Sequence, residues 1–243
     1  MNNHTAEPQS RPPSREGPGD NPSGVQVKIC GLTKVEDALE CAFCGADAVG
    51  LVFYPPSPRF VKDETAREIC QSLPRHVWSV GVFVNEPFET VMGKVEQCGL
   101  RAVQLHGAEP PRVVDLLRAE GVSVIKTLFI NGSPPVGEAA AYPASAYLVE
   151  SGGGRLPGGN AMAWDWKAAK GIFNTRPFIL AGGLDSENVA AAIAEAAPDA
   201  VDVSSGVESS PGQKDMAKVK TFLEAVRGAP GARRGAVSGR IFQ

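Results

Sequence analysis

Eight times along the chain, a short run rich in Val, Ile, Leu or Phe gives way to a stretch whose apolar residues follow helical spacing. The runs fall at residues 25–30, 48–53, 78–84, 102–105, 122–128, 146–149, 178–181 and 200–203. Runs this short, with little polar alternation, are what strands buried on both faces look like. The spacing predicts helices over 34–44, 62–73, 86–98, 110–121, 137–142, 164–173, 186–196 and 213–226. Pro110 and Pro111 suit a first helical turn, and Gly45, Gly99 and Gly121 suit helix ends. Thr33, with Glu36 three residues on, has the spacing of a capping box. The stretch at 137–142 is the weakest, because Gly132-Ser133-Pro134-Pro135 leaves it little room. Eight β-then-α units in about 200 residues predict the α/β class, a closed (β/α)8 TIM barrel in a single domain over 25–227. The alternative, an open doubly wound sheet, usually carries Gly-x-Gly-x-x-Gly after its first strand; Cys30-Gly31-Leu32-Thr33-Lys34-Val35 is not that turn.

An apolar fraction of 43% supplies such a core. The net charge of −3, with no basic stripe, argues against nucleic acid as a partner. No apolar run approaches the roughly 18 residues of a membrane span, and no h-region marks a secretory signal. Residues 1–24, rich in Pro, Ser, Gly and Asn, read as a disordered tail. Residues 228–243 read as a flexible tail until Ile241-Phe242. The scattered cysteines Cys30, Cys41, Cys44, Cys70 and Cys98 suit a reduced, cytoplasmic protein better than a disulfide framework. Cys41 and Cys44 form a C-x-x-C, but inside a helical run and with no second pair at ligand spacing, so they read as structural.

In a barrel, the chemistry lies at the carboxyl ends of the strands. The first run ends in Cys30, either a small buried core residue or a thiol at the tip of a strand pointing into the opening. Beyond the second, prolines stiffen the loop carrying Arg59, which is either an ordinary turn residue or a planar fork held ready for a carboxylate. Gln104 and His106 share one face of the fourth strand; they line the mouth or cap backbone groups. Lys126 on the fifth is either a Schiff-base nucleophile or a rim lysine. The sixth ends in Glu150. Glycine turns follow: Gly158-Gly159 after strand six, Gly182-Gly183 after strand seven, and Ser204-Ser205-Gly206 after strand eight, beyond Asp202. The N–H groups of such turns close around an anion, and the loops after strands seven and eight often bind phosphate in barrels.

Lys28-Ile29-Cys30-Gly31-Leu32-Thr33, Ser57-Pro58-Arg59, Val103-Gln104-Leu105-His106-Gly107, Leu180-Ala181-Gly182-Gly183-Leu184 and Asp202-Val203-Ser204-Ser205-Gly206-Val207-Glu208 together resemble the phosphoribosylanthranilate isomerase family of tryptophan biosynthesis. The resemblance covers the whole folded part. It implies an Amadori rearrangement of a small phosphosugar without cofactor or metal, by a monomer or homodimer. It also implies Cys30 as general base, Glu150 as general acid, Arg59 near the anthranilate carboxylate and Asp202 facing the ribose hydroxyls. Gln104 and His106 would contact substrate. Gly158, Gly159, Gly182, Gly183, Ser204, Ser205 and Gly206 would hold the phosphate. For these roles Cys30 needs electropositive surroundings, and Glu150 needs desolvation or a nearby negative charge.

Two positions depart from the family pattern. Glu150 stands where the family has Asp, and Gly158-Gly159-Asn160-Ala161 replaces Gly-Gly-Thr/Ser-Gly. Trp164-Asp165-Trp166 keeps the family's aromatic-Asp-Trp ending. The departures leave room for a phosphosugar-binding barrel without turnover. Other rivals are the histidine-pathway isomerase, against which Cys30 argues, and a Schiff-base aldolase using Lys126.

Overall fold

The computed structural model describes residues 24–152, 164–170, 176–230 and 240–243. Eight parallel strands close into a barrel in sequence order, each hydrogen-bonded to the next and β8 back to β1. They are β1 (Gln26–Cys30), β2 (Ala48–Val52), β3 (Trp78–Phe83), β4 (Ala102–Leu105), β5 (Ser123–Phe129), β6 (Ala146–Glu150), β7 (Phe178–Leu180) and β8 (Ala200–Val203). Helices α1 (Val35–Cys44), α2 (Asp63–Ser72), α3 (Phe88–Cys98), α4 (Pro111–Ala119), α5 (Val189–Ala196) and α6 (Met216–Gly228) pack outside. Alternate strand residues, such as Val27, Ile29, Val49 and Leu51, meet these helices in one large core.

Three local expectations are corrected. After β5 and β6 the described connections hold short 3-10 turns, Val136–Ala141 and Trp166–Ala169, in place of α-helices. The prolines before the first turn explain its brevity. Thr33 does not cap α1. Lys34 occupies the N-cap without a side-chain bond, because the Thr33 hydroxyl is drawn 2.9 Å to the Gly212 carbonyl. The region 213–226 opens with β10 (Gln213–Lys214), the second strand of a hairpin with β9 (Glu208–Ser210), before α6 begins.

Register and alternation stack the inward side chains in layers of four from alternate strands. Near the amino-terminal end lie Ala48, Ala102, Ala146 and Ala200, then Lys28, Val80, Ile125 and Ile179. Gly50, Gln104, Leu148 and Asp202 follow. Cys30, Val82, Thr127 and Ala181 come next, and Val52, His106, Glu150 and Ser204 line the carboxyl-end mouth. Apart from Lys28, the polar inward side chains lie in the layers toward the mouth.

The alanine layer leaves space, and the chain's own end fills it. Phe242 is 4% exposed among these alanines, with its ring centroid 6.2 Å from that of Trp78. The Gln26 amide accepts from Ile241 and Phe242 N–H at 2.6 and 3.1 Å and donates 2.8 Å to the Phe242 carbonyl. The expected flexible tail therefore ends in a docked segment. Phe242→Ala should cost about 3 kcal/mol in urea unfolding, the usual loss for a buried Phe, with turnover within twofold of the parent because the mouth is at the opposite end. An unchanged urea midpoint would mean that the docking contributes no stability.

Candidate active site

Cys30 sits at the mouth end of β1, buried against Val52 and Val82. The turn after it is tight. Gly31 has φ +81°, and Gly31 and Leu32 N–H both donate to the Gly50 carbonyl at 2.9 and 3.0 Å. Ser204 Oγ donates 3.1 Å to the Cys30 carbonyl, so that hydroxyl hydrogen is committed within the protein. Gly50 makes room for the sulfur. A Cβ there would lie 2.6 Å from Cys30 Sγ and 3.1 Å from Lys28 Nζ. Gly50→Ala should therefore displace the thiol and lower kcat/KM by about 100-fold, the scale of an ångström's misplacement, while far-UV circular dichroism stays unchanged. A loss under threefold would show that the thiol's position does not matter.

The surroundings of Cys30 only partly match the expectation. Burial pushes its pKa up; Lys28 and Lys214 pull it down and Asp202 pushes it up again, leaving it above the ordinary thiol value. Positive charge is present but does not outweigh desolvation. Lys28 is fully buried and donates 2.8 Å to Asp202 Oδ1. Burial alone would lower the Lys28 pKa, but Asp202 and Cys30 outweigh it and raise it, so the ammonium persists.

Glu150 closes β6 on the same inward face and is 8% exposed. Its Oε1 lies 3.5 Å from His106 Nε2. His106 Nδ1 meets two donors, Gln104 Nε2 at 2.7 Å and Thr127 Oγ1 at 3.1 Å, so its proton belongs on Nε2, facing Glu150. Gln104 and His106 thus share the interior, as alternation predicts. Among the described residues, Gln104 Oε1 and His106 Nε2 have no hydrogen-bond partner. Phe129 meets the imidazole edge-on at 5.9 Å.

Arg59 is buried, and its Nε and Nη2 form a two-point pair with Glu208 at 2.9 and 2.7 Å. Lys214 adds a bond to Glu208 at 2.8 Å. Burial alone would raise the Glu208 pKa, but these two cations hold it below the usual carboxylate range. The fork expected for a substrate carboxylate is thus occupied from within, and Nη1 remains for another partner. Lys126 faces away from the interior. Its Nζ bonds Leu105 O, Gly107 O and Glu109 Oε2 at 3.2, 2.6 and 2.8 Å, which leaves no free amine for a Schiff base. Cys41 and Cys44 lie unpaired on α1, and burial pushes the Cys41 thiol up to about 12.

Gly182 and Gly183 adopt φ +89° and +68° after β7. Trp164 donates 2.9 Å to the Ala181 carbonyl and packs over Gly182, where a Cβ would lie 3.1 Å from its Nε1 and 3.4 Å from Glu150 Cβ. Ser205–Val207 forms a short 3-10 turn after β8. Within it, a Cβ on Gly206 would fall 2.0 Å from the Leu184 carbonyl, so only glycine lets the two loops meet. Gly158, Gly159, Asn160 and Ala161 lie outside the described residues. Sequence reasoning passed over Lys28, Thr127, Glu208 and Lys214 as site residues. The signal for Lys28 was its place two residues before Cys30 on one strand face.

A closed eight-stranded parallel barrel with a thiol, a carboxyl group and paired glycine turns at its mouth places the chain among the (β/α)8 barrels. Residues 27–225 match the family described as N-(5'-phosphoribosyl)anthranilate (PRA) isomerase. The isomerase of Desulfatibacillum aliphaticivorans is 58% identical over 200 residues, 82% of this chain and 92% of that protein. That of Citrifermentans bemidjiense is 44% identical, over 82% of this chain and 95% of that protein. The crystal structure of phosphoribosyl anthranilate isomerase from Thermotoga maritima aligns with a TM-score of 0.76 at 42% identity, over 84% and 99% of the two chains. A structure of such an isomerase in complex with reduced 1-(o-carboxyphenylamino)-1-deoxyribulose 5-phosphate aligns at 0.74 and 41% identity, over the same shares. The chain belongs to the N-(5'-phosphoribosyl)anthranilate isomerase family.

Proposed function

We propose that Cys30 and Glu150 are the base and acid of this chain's isomerisation of N-(5-phosphoribosyl)anthranilate to 1-(2-carboxyphenylamino)-1-deoxyribulose 5-phosphate, a step of tryptophan biosynthesis. The observation that carries this assignment is their placement. Both side chains point into one barrel in its two outermost layers, and each is 8% exposed. Glu150 protonates the ribose ring oxygen as the C1–O bond breaks and the anilino nitrogen's lone pair forms a protonated Schiff base. The Cys30 thiolate then takes the proton from C2, and those electrons form the C1–C2 double bond of an enolamine. Ketonisation moves the O2 proton away and places one on C1. Each group is matched to one direction of proton flow, as general acid–base catalysis needs.

The remaining contacts follow from what is uncommitted. Arg59 Nη1 and Gln104 Oε1 face the anthranilate side. The second oxygen of Asp202 takes ribose hydroxyls, and His106 holds Glu150. Backbone N–H groups of Gly182, Gly183, Ser205 and Gly206 bind the phosphate, with Ser204 contributing an acceptor only. All these groups come from one chain, so a monomer or a homodimer serves equally; the T. maritima relative is described as dimeric. The five free cysteines suit the cytoplasm, and no described helix is long and apolar enough to cross a membrane. Following the loss of phosphoribosylanthranilate fluorescence on adding the purified protein tests the reading. Turnover at the rate of an ordinary enzyme, about 1 per second or faster, supports it; binding without turnover would leave a phosphosugar-binding barrel.

A further inference from the structure

We propose that Lys28 is a positioning residue for the proton transfer: its buried ammonium, tethered by Asp202, stabilises the thiolate form of Cys30. The inference rests on the reading of Cys30 as the base, but its test does not need turnover. Lys28 shares a layer with Val80, Ile125 and Ile179, so one fully buried cation stands where three strands supply hydrocarbon. An ion pair in such a place rarely repays its desolvation, and an apolar pair of similar volume would serve stability as well or better. Its position relative to the sulfur gives the lysine a use. Nζ and Sγ flank the same missing side chain at Gly50, 3.1 and 2.6 Å from where its Cβ would stand, so the ammonium that is bonded to Asp202 also lies beside the sulfur and pulls its pKa down.

The charges around Cys30 leave this task to Lys28. From β1 it meets Lys28, from β8 Asp202, and from β10 Lys214, whose charge is shared with Glu208 and through it with Arg59. β2 presents no charged group, only Gly50 and Val52. Glu150 and His106 stand on β6 and β4, three strands away in either direction around the ring. When the thiol gives its proton to solvent at the mouth, the new anion stands beside the Asp202 carboxylate, and of the two cations that offset it Lys28 acts more strongly than Lys214. With the ammonium between them, the cluster changes from neutral to a single negative charge. Asp202 keeps the amine protonated, so Lys28 does not itself act as base.

The test is the ultraviolet thiolate absorbance of the full chain as a function of pH, taken as the difference from the same protein carrying Cys30→Ser. Lys28→Met, and Lys28→Met with Asp202→Asn, which leaves no unpaired charge, should each move ionisation of Cys30 upward by at least about one pH unit, a tenfold lower thiolate fraction. Lys28→Met should also lower kcat about tenfold, by the same factor, with KM within threefold. An unchanged ionisation in either folded Lys28 variant overturns the proposal. If neither folds, Lys28→Gln is read in the same way: an upward shift supports the proposal, and no shift overturns it.

Discussion

Cys30→Ala should lower kcat/KM by about 10,000-fold, the upper range for loss of a positioned base, without loss of the barrel's circular dichroism or thermal transition. The side chain is small and its layer neighbours are Val82, Thr127 and Ala181, so removing the sulfur leaves little to collapse. What disappears is the group that takes the C2 proton. Cys30→Ser should do little better, since a serine hydroxyl of nearly the same size stays protonated where the thiol ionises. Phosphoribosylanthranilate fluorescence measures both variants directly. A loss smaller than about tenfold in Cys30→Ala would remove Cys30 from the base role, because a positioned base contributes at least about 100-fold.

Glu150→Gln should lower kcat at least 100-fold and leave KM within about threefold, because the amide keeps the shape and loses the transferable proton. The glutamate is longer by one methylene than the aspartate its family carries there, and His106 Nε2 lies 3.5 Å from it. The site is built around that length. Glu150→Asp should therefore draw the carboxyl away from His106 and cost on the order of 10–100-fold, as an ångström's error does. Full activity in Glu150→Gln would take Glu150 out of the acid role.

The barrel was legible because each strand is buried on both faces and reads as one apolar run, and because glycines end several helices where expected. Alternation put Gln104 and His106 on one shared face of the fourth strand, but in strands buried on both faces it could not say which face is inward. The Arg59–Glu208 pair was not legible. It joins positions 149 residues apart, and the proline-stiffened loop predicts a held guanidinium without saying which carboxylate holds it. Lys28 was hidden by the rule that lysines stay wet. Only the folded ring shows an aspartate from β8 arriving beside it. The short turns after β5 and β6 and the docking of Phe242 are set by tertiary packing. The docking depends on a layer of four alanines whose stacking appears only once the register is known.

The central claim is that a thiolate and a protonated carboxyl act together at one mouth. It is tested most directly by the pH dependence of kcat/KM in the parent, Glu150→Gln and Cys30→Ala. Activity of the parent should rise with pH as the buried thiol, whose pKa lies above the ordinary value, ionises. Glu150→Gln should keep that rise at a level at least about 100-fold lower, and Cys30→Ala should lose it. A rise that persists unchanged in Cys30→Ala would contradict the account.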